Sequence, residues 1–326
     1  MNLHEDTEIF RDAIRATADR KNIREIYIEK DYWVTYALHA IFHSDMKDVA
    51  VFKGGTSLSK CYQAINRFSE DIDLVVFEDP DLSNNQMDNR VRDVSKVVDD
   101  TDLEEVELSG ITMKRGKNRK VAYEYSKHGY DQAFGQVRDK IIVEVSRLGH
   151  FEPHEEVEVH SFIADMMKAR GQEELIEEYG LAAFPLKVLT IERTFCEKIM
   201  SLVRFSHAEN PYEDLGNKVR HTYDIHMLLK QPAIQDFFES KKLDEMLLQV
   251  GADDIESYGD QYDWLYEHPV SALLFDKPKA TWDKIKSVYN GTFKELVIGD
   301  LPKDDAVFKA IKRVAERLKG IDWDLG

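Results

Sequence analysis

The sequence predicts an α+β protein whose N-terminal part carries a small mixed β-sheet and whose C-terminal part, from about residue 190, is α-helical. Three observations predict this class. Residues 49–77 read as strand, glycine turn, helix and strand; residues 140–148 are strongly β-branched; and apolar residues recur at helical spacing after residue 190. We therefore expect two domains, residues 1–189 and 190–326, with a ligand cleft between them.

The remaining elements follow in chain order. Residues 6–45 carry apolar positions at helical spacing without an internal proline, which predicts helices. Within the 49–77 unit the helix is expected over residues 57–65, and a polar turn after it leads to a further helix over 88–98. Strands or extended segments are expected at residues 105–113, 120–125, 140–148, 156–163 and 184–189.

Composition limits the classes of protein to consider. The net charge of −18 argues against a surface coated for non-specific nucleic-acid binding. No apolar run approaches the length of about 20 residues that a membrane helix needs, and the N-terminus lacks a signal-peptide pattern. The two cysteines, Cys61 and Cys196, have no metal-ligand spacing. We expect a cytoplasmic protein without a membrane partner.

Asp71 and Asp73 are the strongest candidate site residues. Because side chains alternate along a strand, both point to one face while Ile72 and Leu74 point into a core. A solvated acidic face is the alternative, but the apolar neighbours favour a buried strand, where paired carboxylates call for a hard cation. The sequence therefore predicts a divalent metal, Mg²⁺ or Mn²⁺, at this pair.

A glycine turn at Gly54 and Gly55 precedes the acidic pair. It follows a strand and opens a helix, so backbone N–H groups there can face a phosphate. Thr56 and Ser57 add hydroxyl donors for a triphosphate, although helix capping explains the same hydroxyls. Glu144, on a separate apolar strand, is the candidate third carboxylate, and a salt bridge to a neighbouring lysine or arginine is its alternative.

Two further clusters are weaker signals. Five basic residues within residues 114–120, followed by Tyr123, Tyr125 and Tyr130, indicate either a solvated hairpin tip or an RNA-backbone contact with stacking rings. His150, His154 and His160 alternate with acids, which makes metal binding there a minor alternative to an exposed loop.

Residues 53–60 (KGGTSLSK) and 67–74 (RFSEDIDL) together resemble the signature of the AbiEii/AbiGii toxin family. These are nucleotidyltransferase-like toxins of bacterial toxin–antitoxin and phage abortive-infection systems, related to the MenT toxins. Residues 28–33, 191–198 and 220–229 resemble further family motifs, so the likeness spans roughly residues 25 to 230.

The resemblance implies the fold of DNA polymerase beta-type nucleotidyltransferases and a set of residue roles. Asp71, Asp73 and Glu144 would bind Mg²⁺ or Mn²⁺, although relatives commonly carry Asp where this chain has Glu144. Lys198 would contact nucleotide phosphates, and Asp224 would be an essential acid. Taken singly, each of these last two is more typical of a salt bridge.

The resemblance also implies a function: transfer of a nucleoside monophosphate from an NTP to RNA, with the tRNA 3′ end as best acceptor. Translation and growth would stop until a cognate antitoxin, encoded nearby, acts. Two alternatives remain at this point, namely transfer to a protein or small molecule, and nucleotide-dependent regulation without catalysis.

Overall fold

The structure is a computed structural model that describes residues 1–69, 71–127, 139–259 and 261–325. Its contacts divide the chain into two compact units, which are described separately. Unit 1 comprises Met1–Cys61 and Phe68–Leu189, and unit 2 comprises Tyr62–Arg67 and Thr190–Gly326. Residues 62–67, which the sequence assigns to the N-terminal domain, thus belong with the C-terminal helices. The predicted domains and the cleft between them stay predictions.

Unit 1 is built on a mixed sheet of eight strands. The strands are β1 (Ala50–Lys53), β2 (Asp71–Val76), β3 (Glu104–Val106), β4 (Met113–Lys114), β5 (Asn118–Glu124), β6 (Ile141–Ser146), β7 (His154–Val159) and β8 (Phe184–Leu189). Their order across the sheet is β3-β5-β6-β2-β1-β8-β7, with β4 paired to β5. The β1–β8 and β2–β6 pairs are parallel and the others antiparallel.

In the described part of unit 1, six α-helices surround this sheet or connect its strands. They are α1 (Thr7–Lys21), α2 (Glu25–His43), α3 (Gly54–Lys60), α4 (Asn84–Lys96), α5 (Phe162–Ala169) and α6 (Glu173–Glu178). Helix α2 is buried along most of its length and packs against the sheet. Its Asp31 accepts hydrogen bonds from Lys60 Nζ (2.7 Å) and the Phe162 amide (2.7 Å), which fixes the end of α3.

Unit 2 is helical. Its helices are α7 (Ile191–Ser206), α8 (Pro211–Asn217), α9 (Val219–Leu228), α10 (Pro232–Glu239), α11 (Lys241–Tyr258), α12 (Leu273–Asp276), α13 (Pro278–Asn290) and α14 (Asp304–Leu318). Residues 62–67 join them through a bridge between Arg67 and Val297 and a hydrogen bond from the Ile298 amide to the Asn66 carbonyl (2.8 Å). Among the described residues, none of the helices combines the length and hydropathy that a membrane crossing requires.

The predicted α+β class is confirmed, and the element boundaries differ for local reasons. Asn22, in the left-handed region at φ 51°, divides residues 6–45 into two helices. A capping box between Ser83 and Gln86 starts α4 earlier than predicted. Ser161 caps α5, so the strand predicted to residue 163 ends at Val159. A turn over residues 108–112 interrupts the strand predicted over 105–113.

Candidate functional site

The acidic pair lies on β2, with its two carboxylates on one face of the sheet. Asp71 and Asp73 alternate with Ile72 and Leu74, which are 0% and 1% exposed. The predicted alternation is therefore confirmed: the apolar side chains fill the core and the acids face the other way.

Asp73 lies in a row of four charged residues that crosses four adjacent strands. Lys53 on β1 is opposite Asp73, Asp73 is opposite Glu144 on β6, and Glu144 is opposite Lys120 on β5. We call Lys53, Asp73, Glu144 and Lys120 the charged row. Directly opposite residues have Cβ atoms about 5 Å apart, so the two central carboxylates repel one another and each has a lysine on its outer side.

Glu144 is held by β5. Its Oε2 accepts a hydrogen bond from Lys120 Nζ (2.8 Å) and its Oε1 accepts one from Asn118 Nδ2 (3.2 Å). Within residues 1–69, 71–127, 139–259 and 261–325, no group of three or more His, Cys, Asp or Glu side chains is arranged to hold a metal ion. Glu144 thus has the salt bridge that was its alternative, and its role as a metal ligand stays a prediction.

The remaining pair still has the chemistry of a cation site. Burial raises the pKa of Asp73 to about 6, and the negative charges of Glu144 and Asp71 add to the effect. A carboxylate with like-charged neighbours is stabilised by a nearby cation, and oxygen donors suit Mg²⁺ or Mn²⁺. Asp71 and Asp73 therefore fit a divalent metal by charge and donor type.

Gly54 makes room for the Asp73 carboxylate. Its φ of +85° is in the left-handed region, and a Cβ built on it would lie 2.3 Å from Asp73 Oδ2. A side chain here meets both backbone strain and a steric clash. The glycine therefore has a structural role beside the acidic pair, in addition to the phosphate-facing role predicted from the sequence.

The hydroxyl groups of the turn have partners within unit 1. Thr56 Oγ1 lies 2.6 Å from the Asp71 carbonyl oxygen and 3.0 Å from Ser69 Oγ, and Ser57 Oγ donates to the Gly54 carbonyl (2.9 Å). Helix α3 starts at Gly54 without a side-chain cap, so the alternative explanation of these hydroxyls, helix capping, is not what the structure has. The phosphate-binding role of Gly54, Gly55, Thr56 and Ser57 stays a prediction.

A second group of predicted site residues lies in unit 2, around Asp224. The Arg67 guanidinium donates two hydrogen bonds to the Asp224 carboxylate, from Nε to Oδ1 (2.6 Å) and from Nη2 to Oδ2 (2.8 Å). Lys198 Nζ lies 3.2 Å from the same Oδ2, and His221 Nδ1 lies 3.9 Å from it. We call Arg67, Lys198, His221 and Asp224 the Asp224 cluster.

The Asp224 cluster is buried and carries more positive than negative charge. Burial alone would raise the pKa of Asp224, but the charges of Arg67 and Lys198 outweigh it and hold that pKa well below its usual value. Burial lowers the pKa of Lys198, and the negative charge of Asp224 partly offsets this effect. Burial also holds the pKa of His221 well below its usual value. One buried carboxylate thus lies beside a guanidinium, a lysine amine and an imidazole.

The basic hairpin predicted over residues 114–120 forms between β4 and β5. Lys114 pairs with Glu105 and Lys120 with Glu144. Tyr123 and Tyr125 are core residues at 0% and 3% exposure, so neither ring is available for base stacking. Tyr130 lies outside the described residues, as does Glu70 of the signature.

Sequence reasoning missed the partners of these residues. It assigned no role to Lys53 or Asn118, treated Lys120 only as part of a basic tip, and gave Arg67 no contact. Each of these side chains acquires its position from strand register or from a residue more than 20 positions away, which a single sequence does not reveal. The histidines His150, His154 and His160 form no metal-binding group among the described residues.

The chain matches a protein-family model and several solved structures. A protein-family model described as "Nucleotidyl transferase AbiEii toxin, Type IV TA system" matches residues 36–313. Among solved structures, the chain is similar to MenT4, a nucleotidyltransferase toxin from Mycobacterium tuberculosis H37Rv, with 16% identity, 95% of this chain and 90% of that chain covered, and a TM-score of 0.54. This likeness shows a shared fold. No curated protein sequence matches the chain.

Proposed function

The chain belongs to the AbiEii family of nucleotidyltransferase toxins of type IV toxin–antitoxin systems, and from this premise we propose that it transfers a nucleoside monophosphate from an NTP to RNA. The 3′ end of tRNA is the acceptor we favour, and the cytoplasm, where both substrates occur, is the compartment. The family implies an antitoxin partner. We further propose that transfer blocks translation and arrests growth, including during phage infection.

One observation carries the proposal: the two carboxylates of Asp71 and Asp73 face the same way on β2, beside the glycine turn. They would hold Mg²⁺ or Mn²⁺. When bound, the ion would supply charge neutralisation for the triphosphate and for the departing pyrophosphate.

The chain's own groups bind and orient the nucleotide in this proposal. Backbone N–H groups at Gly54 and Gly55 would donate to phosphate oxygens, together with Thr56 and Ser57 where the hydroxyls exchange their present partners. Lys198 would donate to a nucleotide phosphate. Asp224 is 0% exposed, so we assign it the role of positioning Lys198 and not of touching the acceptor.

The test is transfer of label from each α-³²P-labelled NTP to total RNA in the presence of Mg²⁺. We expect labelled RNA with the wild type and none with Asp71→Ala or after EDTA treatment, with activity restored by added Mg²⁺. Asp81→Ala, an exposed acid in the turn after β2, is the control that should retain activity. A wild type that labels neither RNA nor protein, or an Asp71→Ala variant with full activity, contradicts the proposal.

A second candidate is transfer to a protein or a small molecule by the same site. The net charge of −18 is the observation that favours this candidate, since a strongly acidic chain repels an RNA backbone. The same assay separates the two, because the labelled product is sensitive to ribonuclease in one case and to protease, or to neither, in the other.

A further inference from the structure

We propose that Glu144 is a positioning residue that holds Lys120 on the active face of the sheet, and that Lys120 contacts a phosphate oxyanion of the substrate. This inference rests on the proposed function. It replaces the expected third metal ligand by a lysine and its anchor.

Hydrogen bonds from β5 hold the Glu144 carboxylate in place. Both carboxylate oxygens of Glu144 accept hydrogen bonds from β5, one from Lys120 and one from Asn118. Asn118 and Lys120 are two residues apart and share a face of the strand. The Glu144 carboxylate is therefore bound on its β5 side, away from Asp73. To share a metal ion with Asp73, it would have to give up these two hydrogen bonds.

The Lys120–Glu144 pair contributes little to stability. The side chains of Lys120 and Glu144 are 27% and 28% exposed, so solvent screens part of their attraction, and fully exposed ion pairs contribute only about 0 to 1 kcal/mol to stability. Placing Glu144 directly opposite Asp73 costs free energy, since like charges repel across strands. The pair is thus a poor stabilising device, and its position in the charged row needs another explanation.

Lys120 is a charged hydrogen-bond donor on the same face as the acidic pair. Burial alone would lower the pKa of Lys120, but the negative charge of Glu144 and its hydrogen bond raise it, so the ammonium stays charged. It has three donors on a flexible stem and is partly exposed on the same face as Asp71 and Asp73. A phosphate oxyanion is a ligand that such a compact point charge binds. An NTP and an RNA backbone both supply one.

The first experiment measures Mn²⁺ binding to the full chain by electron paramagnetic resonance, without nucleotide. We expect Glu144→Gln to keep the Mn²⁺ affinity within about twofold of the wild type and Asp73→Asn to weaken it at least about tenfold. A loss in Glu144→Gln as large as that in Asp73→Asn would make Glu144 a metal ligand and overturn the inference.

The second experiment measures the affinity for the α,β-methylene analogues of the four NTPs and, separately, for total tRNA. Lys120→Met and Glu144→Gln should each lower the affinity for one of these ligands by about tenfold, because one charge-assisted hydrogen bond to the ligand is lost. The double variant should be no weaker than either single variant, and Glu144→Asp should recover part of the affinity. The ligand that is affected identifies the source of the phosphate.

A matched control lies at the other end of the same strand pair, where Lys140 immediately precedes β6. Lys140 Nζ pairs with Glu124 Oε1 (2.6 Å) at the opposite end of β5 and β6, about 13 Å along the strand from Lys120. Lys140→Met should change neither affinity. If Lys120→Met also changes neither, the pair is structural and the inference fails.

The proposed function can fail separately. A wild type that binds the NTP analogue or tRNA in a Lys120-dependent manner, but transfers no label, overturns the function and supports the contact. A wild type that binds neither ligand overturns both.

Discussion

Replacing Gly54 by alanine is the sharpest test of the acidic pair's geometry. The new Cβ would lie 2.3 Å from Asp73 Oδ2, whereas Cβ atoms are essentially never found within 3.0 Å of another heavy atom. The carboxylate must therefore move by about 0.7 Å or more. If Asp73 acts in transfer as proposed, misplacement on this scale would cost on the order of 10²-fold in rate.

The stability cost has two parts that a control separates. An alanine in the left-handed region costs about 1 to 2 kcal/mol on its own, and displacement of Asp73 adds to it. Gly110 has a similar φ of +74° and nothing within 4 Å of a built Cβ. Gly110→Ala therefore measures the backbone cost alone, in the same unit.

The assay combines urea unfolding with Mn²⁺ binding. We expect Gly54→Ala to lose more unfolding free energy than Gly110→Ala and to bind Mn²⁺ at least about tenfold more weakly, while Gly110→Ala binds it normally. In an Asp73→Ala background the extra loss should be much smaller, because the contacts with Oδ2 and Cγ are gone and only the contact with Cβ at 3.3 Å stays. Equal stability losses with unchanged Mn²⁺ affinity would refute the account of Gly54.

Two further predictions concern unit 2. Asp224→Asn leaves the buried Arg67 guanidinium without its full counter-charge, so we expect urea unfolding to show a loss of about 3 kcal/mol. Asp283→Asn, in an exposed pair, should leave the unfolding free energy nearly unchanged; equal losses would contradict the buried-pair reasoning. Burial, and then the charge of Lys230, lowers the pKa of His226 to about 4, so between about pH 6.5 and pH 4 the unfolded chain binds a proton that the folded chain does not. The unfolding free energy should therefore fall as pH drops through that window, and His226→Gln should remove about 1 to 3 kcal/mol of the fall; parallel pH profiles for the two proteins would count against it.

Local patterns in the sequence predicted the features that depend on nearest neighbours. Alternation along β2 placed Asp71 and Asp73 on one face, and the apolar run around Glu144 placed its strand inside the sheet. Both follow from side-chain periodicity, which needs only a few consecutive residues.

Features that depend on pairing between distant segments could not be predicted. The contact of Lys120 with Glu144 requires the register of β5 on β6, and Arg67 meets Asp224 across 157 residues of chain. The close approach of Gly54 to Asp73 likewise needs the register of β1 on β2. Hydrophobic pattern and turn geometry set such registers jointly, so one sequence leaves several partners open for each charge.

The charged row lies on β1, β2, β5 and β6, each of which has a paired strand on both sides. Central strands open only near global unfolding, so amide hydrogens along this row should be among the slowest to exchange. Local unfolding of these strands would then require nearly the whole unfolding free energy of unit 1. Covering the partly exposed side chains, or removing the acceptor of the transferred nucleotide, requires far less free energy. An antitoxin can inhibit this enzyme reversibly in either of these two ways.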